Sequence, residues 1–448
     1  MGLVVPLGCA FCRAGRKMSA QKETPPAMTS RGREFGILFV SAILALAPFL
    51  AYRGLFSRLY WFGDEFDLID QVDRLGFRHW VWLAFAENFV PLFKVLWGGS
   101  VFLFGGSYAA MITLVWLVHA LNVALLGRLM RTAGLSWTAV FFAQILFGLA
   151  PANIETLAWS VQGSAVLSVT FMLLAMDAGL GRRGLWRQVA WVALSALSFS
   201  RGVVTGPVVA LSYLLGPKPG GGYGARSRTQ VVAALLLPSV AVAALITLLA
   251  TGNHQHLKGH WGNAAIFGIW YLCANPSHTL FSVESFGWHT VVLLGLLKMA
   301  LVVWSLARST GRLRVLFLML VAFELGNAAL LGIGRYHTGL WGVLASRYQY
   351  ASLIGIVPMA GLGFSCLCAA VPGGRSAGRG VAALVMIVAG LTLVKDWGGV
   401  LEPFTTWRGT QSRRVLLLDP TPMPDAVPGI PAMKMGRAKA LIEKYRLH

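Results

Sequence analysis

The chain has 448 residues, 56% of them hydrophobic and only 12% charged, with a mean hydropathy of +0.66. That balance excludes an ordinary soluble domain, and the long uncharged runs mark a polytopic membrane protein. The formal net charge is +21, but Lys and Arg fall between the apolar runs and no nucleic-acid motif accompanies them. The excess therefore reads as cytoplasmic anchoring beside anionic lipid, and nucleic acid is not an expected partner.

Residues 1–34 form a basic, acid-poor leader with Arg13, Arg16, Lys17, Lys22, Arg31 and Arg33, expected to be cytoplasmic and disordered. Cys9 and Cys12 make a single CxxC without a second pair, a weak metal or redox signal. Phe35–Tyr52 approaches the roughly 20 residues that a span needs and carries the chain outward. Just beyond it comes Tyr60-Trp61-Phe62-Gly63-Asp64-Glu65-Phe66-Asp67, three carboxylates in a chain with 17 acids in all. Charges beside apolar spans are rare and tend to mark function; the alternative is a solvated loop with ordinary acids. The rings of Tyr60, Trp61 and Phe62 favour the headgroup level, and Gly63 lets the chain turn beside them. Residues 57–107 read as an outer loop of amphipathic surface helices. Their apolar part, Phe89–Phe104, is short, broken by Pro91 and carries Lys94.

Further spans are expected at Tyr108–Gly127, Ser136–Pro151, Thr156–Met176, Gln188–Ser200, Gly202–Pro217, Gln230–Thr251, Gly287–Ala307, Val315–Ile333, Gln349–Val371 and Val381–Val394. The fold class is an all-α polytopic membrane protein of about eleven transmembrane helices, with amphipathic surface helices in the first outer loop. The transmembrane domain covers 35–398. This threading puts the basic clusters at 128–131, 182–187, 218–228 and 308–314 inside. It leaves 252–286 as an outer loop whose His254, His256 and His260 have ligand-like spacing, although interfacial histidines are more often polar surface. Lys298 and Glu324 fall inside adjacent spans at similar depth. Structural pairing is the expected reading and a proton or ion pathway the alternative. The tail, 399–448, falls outside, with an irregular linker at Pro420–Pro431 and an amphipathic helix at Met433–His448.

One face therefore collects Asp64, Glu65, Asn88, Lys94, Glu155, Gln162, Arg201, Arg335, His337, Arg347 and Tyr348. Carboxylates and guanidinium groups at one membrane surface suit group transfer from a lipid phosphate. A carboxylate takes the proton from an acceptor as it attacks the sugar carbon. A cation binds the departing phosphate. Asp64 is the expected base and Glu65 its assistant. Lys94 fits interfacial snorkelling better than substrate contact. Arg201 and Arg347 stand at outer span ends, against the charge bias, and are the expected phosphate ligands. No cofactor is certain, and a divalent metal is left open without a dedicated ligand set.

His119-Ala-Leu-Asn122-Val-Ala-Leu-Leu-Gly-Arg128-Leu-Met-Arg131, followed by Leu146-Phe-Gly-Leu-Ala-Pro151-Ala-Asn-Ile-Glu155-Thr-Leu-Ala-Trp159, resembles the mannosyltransferase-type membrane glycosyltransferases. This is the GT-C superfamily, which includes protein O-mannosyltransferases and the lipid A aminoarabinose transferase. In that superfamily an acidic motif follows the first span and surface helices precede the second; Asp64-Glu65 and 57–107 match both. Leu197–Pro207 resembles a later motif in which Lys-Glu is usual and Arg201-Gly202 stands here. Ala345-Ser346-Arg347-Tyr348 resembles a bacterial Arg-Tyr motif. Asn88 and Val90 stand where relatives often have His and Arg. The resemblance covers about residues 35–217 well and the rest loosely. It implies a polyprenyl-phosphate sugar donor and a glycan, lipid or lipopolysaccharide acceptor. It also implies a multi-pass protein of the bacterial inner membrane with its active site facing the periplasm. A flippase for lipid-linked saccharides and a non-catalytic envelope scaffold are the alternatives.

Overall fold

The computed structural model describes residues 29–448 apart from 217–226, 250–256, 282–287, 373, 418–425 and 428–429. The CxxC, most of the expected leader, His254, His256 and most of the Pro420–Pro431 linker lie outside the described residues. Residues 29–34, expected to be disordered, open the first helix instead.

The first apolar segment is not one rod. Helix α1 (Thr29–Ala45) stops at Leu46, and α2 (Ala47–Ala51) restarts with Pro48 in its first turn, followed by α3 (Arg53–Phe56). A proline supplies no N–H and favours a helix start over an interior. The first loop holds α4 (Asp64–Leu75), α5 (Phe77–Val81) and α6 (Pro91–Leu103). None is long enough to cross, as their length and Pro91 foreshadow.

The membrane body comprises α7 (Tyr108–Thr132), α8 (Trp137–Gly148), α9 (Ile154–Leu157), α10 (Gly163–Leu180), α11 (Leu185–Ser198), α12 (Thr205–Leu215), α13 (Arg228–Leu249), α14 (Trp261–Phe281), α15 (Trp288–Arg308), α16 (Gly311–Arg335), α17 (Gln349–Ala369) and α18 (Gly374–Phe404). Among the described residues, seven helices are long and apolar enough to cross a membrane, or eight if the bent pair α8 and α9 is one span. The protein is an all-α polytopic membrane protein; the eleven-span count is not reached by these criteria. α11 and α12 have 14 and 11 residues, or about 21 and 17 Å at 1.5 Å per residue, short of a 30 Å core. The expected outer loop 252–286 instead contains α14, a 21-residue helix packed on α15 and α16. Its Asn263, Asn275, Pro276 and His278 hide it from a hydropathy reading.

Aromatic rings weld the first segment to the body. Phe49, Phe56 and Trp397 surround Trp116 with ring centroids 5.3–5.6 Å away. The Trp397 indole donates to Leu149 O at 3.0 Å. Several deeper polar groups pair across helices. Lys298 and Glu324 form the expected buried ion pair, and Ser352 Oγ donates to Glu324 at 3.0 Å. Asn122 donates to Tyr350 Oη at 3.0 Å, and a His119 ring nitrogen lies 3.0 Å from the same oxygen.

The chain closes with a π-helical turn (Thr405–Thr410), α19 (Gln411–Leu417), the antiparallel strands β1 (Ala426–Val427) and β2 (Ile430–Lys434), and α20 (Met435–Tyr445). The tail packs on the first loop: Arg437 bonds Asp70 and Asp73 on α4.

Candidate active site

Gly63 turns the chain into α4 with a φ of +57°, which an L side chain rarely adopts. The run before it packs inside the protein. Tyr60 and Trp61 are buried, with Tyr60 Oη donating to Leu447 O and the Trp61 indole to Gly106 O, both at 3.1 Å. The last residues of the tail and the turn before α7 cover these rings.

The two adjacent carboxylates part company. Asp64 faces a cavity; Glu65 turns inward and is fully buried. One Glu65 oxygen accepts from Phe62 N–H at 2.8 Å. The other accepts from Tyr108 Oη at 3.1 Å, from Ser160 N–H at 3.1 Å and from Ser160 Oγ. Burial pushes the Glu65 carboxyl up to about 7 against the pull of those donated bonds. Glu65 ties α4 to α7 and the Ser160 turn, and so sets where Asp64 stands. Enclosure likewise raises Asp64 above its ordinary value, opposed by Arg347, Arg335 and Arg408.

The cavity is about 220 Å³. Asp64, Asn88, Gln162, Ser164, Arg201, Arg335, Arg347 and Tyr348 supply its polar lining, and Phe85, Phe93, Trp159 and Phe199 much of its apolar wall. These residues come from separate places in the chain, all at one end of the bundle. Asn88 closes a tight turn with Phe85, paired through both backbone groups at 2.8 and 2.9 Å, with Ala86 at a φ of +46°. Glu87 of that turn accepts from Arg335 at 2.8 Å. Arg201 sits in the turn between α11 and α12, Arg335 at the end of α16, and Arg347 and Tyr348 just before α17.

Arg201 is the most telling cation. It is 4% exposed, stacks over Phe199 at 5.1 Å and leaves Nε and Nη1 without a hydrogen-bond partner among the described residues. A buried guanidinium with free donors costs stability unless an anion completes it. Glu155 does not line the cavity but braces it from behind. Its Oε2 accepts from Arg347 N–H at 3.1 Å; its Oε1 accepts from Arg408 at 2.9 Å and lies 3.6 Å from the Arg347 guanidinium.

Lys94 belongs elsewhere. It is buried, donates to Trp80 O and Leu83 O at 3.0 Å each, and lies over the Trp80 ring. It closes the end of α5 and does not line the cavity; burial lowers its pKa to about 8. His337 is exposed and outside the lining. Sequence reading passed over Arg408, whose guanidinium lies 5.3, 4.6 and 4.7 Å from the Phe62, Trp159 and Phe404 ring centroids. Among the described residues, no group of three His, Cys, Asp or Glu side chains could hold a metal. The charges that oppose the rise at Asp64 are the guanidinium groups of Arg347, Arg335 and Arg408.

No known family model and no curated protein matches the chain. One similar solved structure is the archaeal oligosaccharyltransferase AglB from Archaeoglobus fulgidus, in complex with an inhibitory peptide and a dolichol-phosphate. It is 13% identical with a TM-score of 0.47, over 91% of this chain and 61% of that one. This chain thus spans about three fifths of that protein's length.

Proposed function

We propose that the protein is a GT-C-type membrane glycosyltransferase. It moves a sugar from a polyprenyl-phosphate carrier to a glycan or lipid acceptor on the non-cytoplasmic face of a bacterial inner membrane. The observation that carries this reading is the cavity in which a carboxylate and the buried, incompletely bonded Arg201 meet. In the reaction, Asp64 takes the proton from an acceptor hydroxyl or amine as that atom bonds the sugar's anomeric carbon. The carbon–oxygen bond to the carrier breaks, and the phosphate leaves with the electron pair. Arg201, Arg347 and Arg335 hold the departing anion, with guanidinium forks suited to phosphate oxygens. Asn88 and Gln162 offer neutral hydrogen bonds to sugar hydroxyls.

The topology supports this assignment. Cavity residues at the start or end of α4, α16 and α17 gather at one end of the body. Arg128 and Arg183 meet Asp177, at 3.2 and 3.1 Å, at the far end of α7 and α10. α7 has 25 residues, so the two ends stand about 37 Å apart. The basic run before the first apolar segment and the Arg128–Arg131 cluster at the far end of α7 favour the Asp64 end as the outer one.

Purified protein in liposomes, supplied with labelled polyprenyl-phosphate sugars and a lipid or glycan acceptor extract, should produce labelled acceptor. Movement of lipid-linked saccharide across the bilayer without transfer would overturn the enzyme reading in favour of a flippase.

A further inference from the structure

We propose that α20 is a clamp that positions the Asp64 helix, so that the C-terminal segment is a working part of the site. This rests on the functional reading above. α4 carries Asp64 at its first position and is held at two points. Near its start, Glu65 plugs into Ser160 and Tyr108. Five and eight residues further on, Arg437 of α20 donates to Asp70 Oδ1 at 2.6 Å and to Asp73 Oδ2 at 2.7 Å. Tyr445 Oη donates to Asp73 at 2.8 Å, and Lys444 pairs with the same carboxylate. These bonds hold Asp73 down to about 2, so the clamp stays charged throughout the physiological range.

The same segment also reaches the residues that hold Glu65. His448 N–H donates to Gly106 O at 3.1 Å, and Tyr108 N–H donates to His448 O at 2.8 Å. Gly106 admits this approach: a Cβ there would lie 2.6 Å from the carbonyl oxygens of Tyr445 and Arg446, and its φ is +80°. Tyr108 is the residue that donates to Glu65. Leu447 O receives the Tyr60 hydroxyl two residues before Phe62, whose N–H bonds Glu65. One short stretch thus fastens the far end of α4, the Tyr108 backbone and the run leading into Asp64. Met435, Ala438, Leu441 and Ile442 form the buried face beneath the ionic contacts. α20 itself holds α4, while Leu447 and His448 just past it hold Tyr60 and Tyr108, so the three attachments converge on the approach to Asp64.

The test uses the full chain, in a background with its five cysteines replaced, carrying Arg437→Ala, Arg437→Lys or Arg437→Glu. Cysteines at Leu441 and, separately, at Asp64 report clamp release and site geometry through maleimide labelling, independently of activity. Arg437→Glu brings like charge against Asp70 and Asp73. It should unmask Leu441→Cys and change the labelling rate of Asp64→Cys severalfold, without loss of inserted, monodisperse protein. In the transfer assay, which keeps Asp64, Arg437→Ala should lower kcat on the order of ten- to a hundredfold. The donor KM should stay within about twofold, because the phosphate ligands sit on other elements. Arg437→Lys should recover part of kcat. Unchanged labelling at both cysteines in Arg437→Glu would overturn the clamp even if no sugar transfer is found. Unmasked Leu441→Cys with unaltered Asp64→Cys labelling and kcat would overturn positioning.

Discussion

Glu65 is the buried group whose removal tests the construction of the site most sharply. It accepts from two backbone donors, Phe62 N–H and Ser160 N–H, and two hydroxyls, on Tyr108 and Ser160. Hydroxyls can rotate toward other acceptors; the backbone N–H groups cannot. Glu65→Ala strands both, at about 1–3 kcal/mol each, and opens a cavity, for roughly 3–5 kcal/mol in all. Glu65→Gln is milder. Its oxygen can serve the Ser160 and Tyr108 side, leaving its NH2 against Phe62 N–H, a single unmet donor at about 1–3 kcal/mol. The pH response separates the two forms further. The fold raises the Glu65 carboxyl from 4.5 to about 7, so the native state binds that proton more tightly than the unfolded chain does. The resulting stability is full below about pH 4.5 and lost as pH rises through about 7, some 3 kcal/mol between the plateaus. Thermal unfolding in detergent at pH 5.5 and pH 8 should show wild type losing stability with pH and Glu65→Gln losing much less. In the transfer assay, Glu65→Gln should cost less than a change at Asp64, because Glu65 positions and does not react. Glu65→Ala unfolding within about 0.5 kcal/mol of wild type would refute this role.

Two more predictions concern the other buried charges. Arg201→Ala should raise the donor KM or lower turnover at least tenfold, with Arg201→Lys only a partial rescue, since an ammonium cannot reproduce the planar fork; unchanged donor kinetics would make Arg201 an interfacial anchor. Lys298→Ala and Glu324→Ala should each lower folded yield, and the double variant should lose less than their sum, because removing one partner strands a buried charge. Additive losses in yield would count against energetic coupling of the pair.

The polytopic class, the short helices of the first loop, the Lys298–Glu324 pair and most of the cavity lining were legible in the sequence. Each follows from where a charge stands relative to an apolar run. Asn88, Gln162, Arg201, Arg335, Arg347 and Tyr348 converge with Asp64 because span ends on one side share one surface. Three things resisted the same logic. Glu65 and Asp64 are neighbours, and only tertiary contact with Ser160 and Tyr108 sends one inward. Lys94 carries the charge of a ligand, but its ammonium is consumed by Trp80 O and Leu83 O. Arg408 lies beyond the expected last span, and Arg437 and the last residues lie in a segment without span periodicity, so nothing local announces that they reach Glu155, Phe62 and α4. The departures in helix count come from the proline near the start of α2, the bend between α8 and α9, the shortness of α11 and α12, and the polar residues that masked α14.

The central claim is that Asp64 performs the proton transfer. Asp64→Asn keeps the shape of the side chain and removes its charge, and Glu65 still holds α4 in place beneath it. Transfer from a labelled polyprenyl-phosphate sugar, measured in membranes and normalised to inserted protein, should fall on the order of a hundredfold to ten-thousandfold in this variant, with normal extraction and monodispersity. Turnover by Asp64→Asn near that of wild type would contradict the account.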